Sequence, residues 1–523
     1  MEIETVIRES QAETLVGPLG FQTEAGKQQF SKQLRFFTAN QNALQRRQKA
    51  VEDLRKSLTP ETSAFLERCF AEAKEKEPHL QIFFQKSDVE KNSYEQLTFS
   101  AWAWAQVINT IPFVLLLVSY FKLYVVPILA VFTPVFLLVM PYILLIYVYN
   151  LPITFSQYKD MMLTMVGIQA QAGWTPRNLL QLGLTSFSVI QSMVQPIQNA
   201  LHLQTVEKDL VKRGMAAEKL AILLQRISLK IPFKNPLEDL AQRAMLSPDV
   251  HRTFAEAWDL PYRFQYALRL LGDAEVTYRI AASSMKPVNF MKKGLSLENA
   301  VDPLLQESIP FTVNFKAEEG SHALLTGPNK GGKSSFLRGV LLNLVLAQTV
   351  GYSFGTCKIK PVDWIATGLK LEDRPGKSSL FEREVEFAVE ILKRAKQFPN
   401  QTGVVLFDEL FHSTNPPDGT RTAKTFLEQL WNQSNVYSII STHVFSLVKE
   451  APSEIHRFCV PAVPKEDGEL DFTYTLQKGI CELSSVDMIL RDKGLLEQLV
   501  KVPQCGKLDS GKPQPEGENE RPE

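Results

Sequence analysis

Apolar positions divide the 523-residue chain into stretches with different patterns. Residues 1–95 and 159–287 are charged and carry apolar residues at helical spacing, which predicts an all-α N-terminal region and a second helical, lever-like domain. Residues 96–158 hold long runs without charge. From 288 to 503, short apolar strands alternate with helical stretches, which is typical of an α/β domain. Residues 504–523 are mostly polar with several Pro and Gly, and we expect a disordered tail.

The charge-free runs in residues 96–158 are long enough to cross a membrane. Ala103 to Phe121 and Leu123 to Tyr149 are separated only by Lys122, and a spanning helix needs about 20 apolar residues. Aromatic residues cluster near the ends of the runs, and membrane helices tolerate the prolines inside them. We therefore expect a two-helix transmembrane hairpin that meets the membrane through residues 103–149. A re-entrant hairpin and a buried helical pair in a soluble core are the alternatives.

Overall composition gives few clues to a partner. Lys and Arg total 57 and so do Asp and Glu, so the formal net charge is zero. The chain therefore has no bulk electrostatic footprint for nucleic acid, although a local basic face stays open. The five cysteines are scattered without a C-x-x-C pair, which argues against a zinc site or a disulfide framework.

A phosphate-binding motif, G-x-x-x-x-G-K-[ST], lies in the α/β stretch between an apolar strand, His322–Thr326, and a helical stretch that runs to Val350. In this setting backbone N–H groups and the helix N-terminus bind phosphate. Lys333 is expected to reach the β- and γ-phosphates, and the Ser334 hydroxyl to ligate Mg²⁺. We predict ATP and Mg²⁺ as cofactors, bound by Gly327, Pro328, Asn329, Lys330, Gly331, Gly332, Lys333, Ser334 and Ser335.

Two further apolar strands end in residues that suit nucleotide hydrolysis. Gly403–Phe407 precedes two acids, of which Asp408 is expected to hold the Mg²⁺ shell and Glu409 to orient or deprotonate the attacking water. The run from Ser438 ends at His443, which can hydrogen-bond the γ-phosphate or that water. The predicted catalytic residues are Glu409, His443 and Lys333, and the predicted metal ligands are Ser334 and Asp408.

These three motifs together resemble those of the MutS family of DNA mismatch-repair proteins. Thr326–Ser335 is similar to the family's TGPNMGGKST, with Lys330 and Ser335 as departures, and Ser441–His443 matches its [SA]TH. Asp408–Gly419 resembles DEIGRGTSTYDG at fewer positions. The resemblance covers about residues 288 to 500 and implies an ABC-type P-loop ATPase that works as a homodimer with composite ATP sites.

The resemblance also implies roles for three residues outside these motifs. Ser378 would open a helix whose N-terminus faces the partner's γ-phosphate, with a plain helix cap before Glu382 as the alternative. Phe311 and Tyr474 stand where the family places adenine-stacking groups, although both could equally be core aromatics.

The chain departs from mismatch-repair proteins in its N-terminal half. Fewer than 100 residues precede the hairpin and about 135 separate it from the ATPase, too few for the family's mismatch-reading domain and its long lever and clamp helices. We expect a membrane-anchored MutS-like ATPase whose ATPase domain faces the cytosol, where ATP and Mg²⁺ are found; DNA binding stays open. The alternatives are a soluble DNA-binding mismatch-repair relative and a nucleotide-gated membrane scaffold with little hydrolysis. An ABC transporter subunit is disfavoured because no LSGGQ-like signature lies between the two ATP motifs.

Overall fold

The computed structural model describes residues 3–102, 104–165, 167, 175–315, 320–370, 379–464, 470–483 and 490. Its helices are α1 Ile3–Ser10, α2 Glu24–Arg35, α3 Gln41–Ser57, α4 Pro60–Leu80, α5 Asp88–Glu95, α6 Val114–Tyr120, α7 Val126–Tyr147, α8 Phe155–Met165, α9 Pro176–Ser228, α10 Glu238–Leu246, α11 Val250–Asp259, α12 Pro261–Ala282, α13 Lys333–Thr349, α14 Leu380–Gln397, α15 Pro416–Trp431 and α16 Phe445–Glu450. Its strands are β1 Lys286–Pro287, β2 Asn289–Phe290, β3 Leu295–Ala300, β4 Phe311–Phe315, β5 His322–Thr326, β6 Tyr352–Ser353, β7 Thr356–Ile359, β8 Trp364–Gly368, β9 Gly403–Phe407, β10 Val436–Ser441, β11 His456–Cys459, β12 Ala462–Pro464, β13 Leu470–Phe472 and β14 Gln477–Lys478.

The chain forms two compact units. The helical unit comprises residues 16–33 and 46–284, and the sheet unit comprises residues 1–15, 34–45 and 285–523. The sequence did not predict that two N-terminal segments belong with the α/β stretch. The predicted disordered tail, 504–523, lies outside the described residues.

The helical unit is built around the C-terminal half of α9, which packs against α4, α10 and α11. Helix α4 begins as predicted, with the Thr59 hydroxyl accepting a hydrogen bond from the Thr62 N–H and Pro60 in the first turn. The Glu275 carboxylate on α12 is fully buried, and it accepts hydrogen bonds from the backbone N–H groups of Gln22 and Thr23. This carboxylate therefore ties the segment before α2 to α12.

The predicted turn at Lys122 is wrong. Helices α6 and α7 are joined by a π-helical turn, Phe121–Val125, into one 34-residue helix, Val114–Tyr147. The charged Lys122 does not end the helix, because its ammonium donates a hydrogen bond to the backbone carbonyl of Gln96. Within the described residues this is the one helix whose mean hydropathy, 2.5 over 18 residues, is that of a membrane span. Length and composition alone are weak support, since buried core helices share them, but only 6% of this apolar window is buried.

The sheet unit contains a six-stranded sheet in the order β14-β11-β5-β10-β9-β8. Strands β11, β5, β10, β9 and β8 are parallel, and β14 is antiparallel at one edge. Every residue of β5, β8, β9 and β10 is buried, as expected of parallel strands covered on both faces. Helices α14 and α15 pack on the core formed by β8, β9 and β10. A second sheet has the order β2-β7-β3-β4.

The N-terminal segment of the sheet unit reaches its parallel sheet. Helix α1 packs against α13 and β8. The buried Glu9 carboxylate accepts hydrogen bonds from the Thr367 hydroxyl at 2.7 Å and the Leu369 N–H at 3.0 Å. Burial raises the pKa of Glu9 above its ordinary value, and the two donors oppose that rise. One side chain thus bridges residues 358 positions apart in sequence.

Candidate nucleotide-binding site

Three neighbouring parallel strands bring the predicted motifs to one edge of the sheet. Strand β10 lies between β5 and β9, with Ser441 beside Leu325 and Ile440 beside Phe407. Because parallel strands end at the same edge, the residues that follow β5, β9 and β10 meet there. These are the phosphate-binding motif, the Asp-Glu pair and the Thr-His pair, so the structure brings the three motifs together.

The first residue of the loop after β5 has a backbone conformation that only glycine adopts without strain. Gly327 has φ 145°, and a Cβ atom there would stand 2.6 Å from the carbonyl oxygen of Val460. Gly332 has φ 96° and caps α13. Lys330 also lies in the left-handed region, at φ 65°. These conformations fold the loop back over the start of α13.

The Lys333 side chain is buried under this loop. Its Nζ donates to the carbonyl oxygens of Gly327 at 3.0 Å and Pro328 at 3.1 Å. Burial lowers the pKa of Lys333, while the carboxylates of Glu409 and Asp408 act in the opposite direction. A desolvated ammonium at a helix N-terminus is suited to bind phosphate oxygens.

The two acids after β9 are held by Ser441 on β10. The Ser441 hydroxyl donates to Asp408 Oδ1 at 2.5 Å and accepts from the backbone N–H of Glu409 at 2.8 Å. Glu409 has φ 54°, a strained conformation for a non-glycine residue. Its Oε1 lies 3.2 Å from Nε2 of His443. This hydrogen bond, reinforced by the nearby His412 and Lys333, holds the pKa of Glu409 below its ordinary value.

A cavity of about 650 Å³ opens beside the loop. It is lined by Asn329 to Phe336, which include most of the phosphate-binding motif, and by Glu409. The far wall carries Leu305 and Ile309. The predicted stacking residues Phe311 and Tyr474 also line it.

Phe311 and Tyr474 differ in their surroundings. Phe311 is buried, and its ring meets the Phe336 ring edge-on with centroids 5.1 Å apart. Tyr474 is exposed at φ 49° and lies beside Gly332. Tyr474 thus has a ring face available to a ligand, whereas Phe311 is packed as a wall residue. Adenine stacking stays a prediction for both.

Some predicted residues lie away from the cavity. Asp408 and His443 do not line it: Asp408 is joined through Ser441 to the Glu409 backbone, and His443 contacts the Glu409 carboxylate. Gly327 and Pro328 do not line it either. Ser378 lies outside the described residues. Its neighbour Ser379 caps α14: the Ser379 hydroxyl accepts from the Glu382 N–H at 3.3 Å, and the Glu382 carboxylate accepts from the Ser379 N–H at 2.8 Å.

The sequence did not predict two contacts at this site. Ser441 was recognised only as part of a family motif, without its link between the two acids. Asp302, which lines the cavity, is buried and accepts from the Arg338 guanidinium on α13 at 2.7 and 2.9 Å. Asp302–Leu305 resembles the family's HPLL sequence with Asp in place of His, and this departure was the available sequence signal of a different contact at this position.

The residues present fit ATP with Mg²⁺. The glycine loop is tightly folded, since a Cβ on Gly331 would stand 3.0 Å from the carbonyl oxygen of Pro328. The buried Lys333 charge faces the Asp408 and Glu409 carboxylates. Ser334 is exposed at the start of α13 and lines the cavity. A phosphate chain would thus meet the Lys333 ammonium, and a hard cation would meet oxygen ligands.

The sheet unit has the fold and the motif arrangement of a P-loop domain. Residues 323–502 match the sequence profile of MutS domain V, the ATPase-type domain of that family. The chain is 26% identical over 237 residues to a DNA mismatch repair protein MutS of Bacillus cytotoxicus, covering 42% of this chain and 26% of that protein. It is 29% identical over 184 residues to MutS of Streptococcus uberis, covering 34% and 21%.

A third relative extends the similarity beyond the ATPase-type domain. The DNA mismatch repair protein Msh6 of Gallus gallus is 25% identical over 366 residues, which cover 63% of this chain and 26% of that protein. These matches support membership of the MutS family. The chain spans about a quarter of the length of the curated relatives it matches.

Proposed function

We propose that this protein is a membrane-anchored MutS-like ATPase that uses ATP binding and hydrolysis to switch a dimer. The observation that carries the ATPase proposal is the meeting of Lys333, Asp408 and Glu409 at one sheet edge beside a 650 Å³ cavity. A P-loop site is the arrangement that brings these residue types together in this order along the chain.

In the proposed reaction, a water oxygen attacks the terminal phosphorus of ATP, and the bond to the bridging oxygen of ADP breaks. Lys333 stabilises charge on the phosphate oxygens. Glu409, which is ionised at neutral pH, orients the water and accepts its proton. His443 keeps the Glu409 carboxylate aimed through their 3.2 Å contact. Mg²⁺, when bound by Ser334 and Asp408, would neutralise phosphate charge.

Substitution of Glu409 tests the hydrolysis step. Glu409→Gln keeps the shape of the side chain and removes its charge, so we expect ATP turnover to fall about 100-fold, while the affinity for ATP changes little. Turnover is measured by phosphate release and affinity by calorimetry on the full chain in detergent. Glu428→Gln, an exposed carboxylate on α15, is the matched control. An unchanged rate in Glu409→Gln would rule out Glu409 as the base, and no ATP binding by the parent would overturn the ATPase proposal.

The dimer part of the proposal rests on the resemblance to ABC-type ATPases, whose ATP sites are shared between two copies. We expect the full chain to form dimers with ATP when Glu409→Gln slows hydrolysis, and monomers without nucleotide. Light scattering in detergent with and without ATP measures this. A mass that does not change with ATP would contradict nucleotide-driven dimerisation.

The membrane part rests on residues 103–149. Six consecutive side chains in α7, Val135 to Met140, are each exposed, and successive helical residues turn by 100°, so the apolar surface surrounds the helix. Hydrocarbon covers such a surface on all sides. We expect the protein to stay with membranes after extraction with alkaline carbonate, with the ATP site facing the cytosol; release into the soluble fraction would contradict anchoring.

DNA is the partner that the relatives' names suggest, since they are DNA mismatch repair proteins. The zero net charge means that any DNA contact must come from a local surface. Titration of duplex DNA against the full chain in detergent, at two salt concentrations, tests this. Affinity that falls steeply with salt supports DNA binding, and no binding at low salt favours a nucleotide-gated membrane scaffold.

A further inference from the structure

The first half of α9 is an exposed helical stretch with an unusual composition. No Asp, Glu, Lys or Arg occurs between Arg177 and Glu207, a run of 29 residues. Charged residues make up 22% of the chain, so about six are expected in a run of this length (0.22 × 29). The part from Leu179 to Asn199 contains no buried residue. Nine large apolar side chains are exposed there: Leu179, Leu180, Leu182, Leu184, Phe187, Val189, Ile190, Val194 and Ile197.

We propose that residues 179–199 of α9 form a second membrane-embedded helix beside α7, with lipid hydrocarbon as the occupant of its exposed apolar surface. This inference rests on the membrane anchoring proposed above. Under this proposal the membrane anchor consists of α7 and the first half of α9, and not of the two apolar runs on either side of Lys122.

Helices α7 and α9 contact each other directly. Helix α9 also contacts the π-helical turn Phe121–Val125 at the start of α7. From residue 200 onward α9 becomes buried, beginning with Ala200 and Leu203. The chain therefore leaves the buried core of the helical unit along α7 and returns to it along α9, as a membrane hairpin requires.

Both exposed stretches have the length of a bilayer core. The 21 residues from 179 to 199 extend about 31 Å at 1.5 Å per residue, and the hydrocarbon core is about 30 Å thick. Along the continuous helix Val114–Tyr147, Tyr124 in the π-helical turn and Tyr142 on α7 are 18 positions apart, or about 27 Å. The two stretches are therefore similar in length, and both are close to the thickness of the hydrocarbon core.

Aromatic clusters mark both ends of the α7 stretch. Tyr120 and Tyr124 pack together with ring centroids 5.1 Å apart, close to Lys122. At the far end, Tyr142 packs against Phe155 at 5.6 Å and Tyr158 at 5.1 Å. Tyrosine is enriched where a membrane helix crosses the interface, and lysine extends its ammonium to that level. These clusters therefore indicate the two boundaries of the bilayer.

Three hydroxyl groups within the two stretches donate hydrogen bonds to carbonyls of their own helix. The Thr185 hydroxyl donates to the Gln181 carbonyl at 2.7 Å, and that of Ser192 to the Val189 carbonyl at 2.7 Å. On α7 the Thr133 hydroxyl donates to the Leu129 carbonyl at 2.7 Å. Such bonds within a helix are suited to a medium without hydrogen-bond partners. A water-exposed pairing with a second copy would instead be expected to carry charged flanking positions, which this run lacks.

Photolabelling from the lipid phase tests the proposal. The full chain is reconstituted into phosphatidylcholine vesicles that contain a lipid with a diazirine in the middle of its acyl chain, irradiated, digested and examined by mass spectrometry. We expect lipid adducts both in peptides that cover 125–141 and in peptides that cover 179–199. Adducts in 125–141 alone would overturn the α9 proposal and leave the anchor on α7 standing. Adducts in neither stretch would overturn both.

Matched lysine substitutions separate lipid from a second copy. Ile190 is exposed near the centre of the stretch, and Leu229 is exposed at the end of the same helix. A lysine at the bilayer centre disfavours insertion roughly 100-fold, so Ile190→Lys should reduce adducts in 179–199 at least ten-fold while 125–141 remains labelled. Leu229→Lys should change neither. In a separate sample, a photoreactive diazirine amino acid replaces Leu180, which is exposed in this stretch. Cross-links from this position to a second protein copy, with no lipid adducts in 179–199, would overturn the proposal in favour of a dimer contact. The parent labelling decides the matter if Ile190→Lys fails to fold, which circular dichroism would reveal.

Discussion

A buried histidine on β5 makes the stability of the sheet unit depend on pH. His322 is almost fully buried, and its Nδ1 lies 2.8 Å from the Ser438 hydroxyl on the neighbouring strand β10. Burial lowers the pKa of His322 from its ordinary value of 6.5 to about 4. The folded protein therefore keeps this imidazole neutral over a range in which the unfolded chain binds a proton.

The sign and size of the effect follow from this difference in pKa. Between pH 6.5 and about pH 4 the unfolded state binds more protons, so stability falls as the pH is lowered through that window. The full difference of 2.5 pKa values corresponds to about 3.4 kcal/mol at 1.36 kcal/mol each. Integrated from pH 7 to pH 5, the loss from His322 alone is about 2 kcal/mol.

Hydrogen exchange isolates this effect in a chain of two units, for which one global unfolding curve is not two-state. The free energy of opening is measured at pH 7 and pH 5 on peptides that carry β5 and β10, after correction for intrinsic exchange rates. His322→Gln removes the titration, and His202→Gln, an exposed histidine on α9, is the control. We expect the parent and His202→Gln to lose about 2 kcal/mol more than His322→Gln between these pH values. Equal losses in all three proteins would refute the reasoning.

Three further substitutions have distinct expected outcomes. Gly327→Ala places a Cβ 2.6 Å from a backbone carbonyl, so ATP affinity measured by calorimetry should fall at least ten-fold. The control Gly183→Ala places its Cβ with no atom within 4 Å and should bind ATP as the parent does. Equal affinities of the two variants would contradict the role of the loop conformation. Ser441→Ala removes the link between the two acids and should lower ATP turnover about ten-fold with little change in affinity, so a loss confined to affinity would count against it. Glu275→Ala leaves the buried N–H groups of Gln22 and Thr23 without their acceptor and should destabilise the helical unit by about 3 kcal/mol. Hydrogen exchange of peptides from α12 measures this loss. Protection equal to that of the parent would contradict the prediction.

The strands of the sheet unit were predictable because their signals are local. His322–Thr326 and Gly403–Phe407 are continuous apolar runs of strand length, and both are buried parallel strands. The meeting of Lys333, Asp408 and Glu409 followed from the rule that parallel strands end at one edge. Ser441 could not be assigned a role, because its two hydrogen bonds depend on the register of β9 and β10.

The helical unit was predicted less well, for a different physical reason. A single charge between two apolar runs looks like a turn, yet the Lys122 side chain reaches a carbonyl on a preceding segment and the helix continues. Interspersed glutamines and serines lower the mean hydropathy of the first half of α9, so its exposed apolar surface is visible only in the structure. Likewise, nothing local in residues 1–15 indicates that Glu9 reaches β8.

The bridge made by Glu9 sets an order for the biogenesis of the chain. Residues 3–10 leave the ribosome before their partner Thr367, which is synthesised 358 residues after Glu9. At 5 to 20 residues per second this interval lasts about 20 to 70 s. During that time α1 lacks the surface that buries it, while the apolar helices α7 and α9 have already emerged. The residues of the proposed ATP site all follow α9 in the chain. That site is therefore completed only after the segments proposed to enter the membrane are available for insertion.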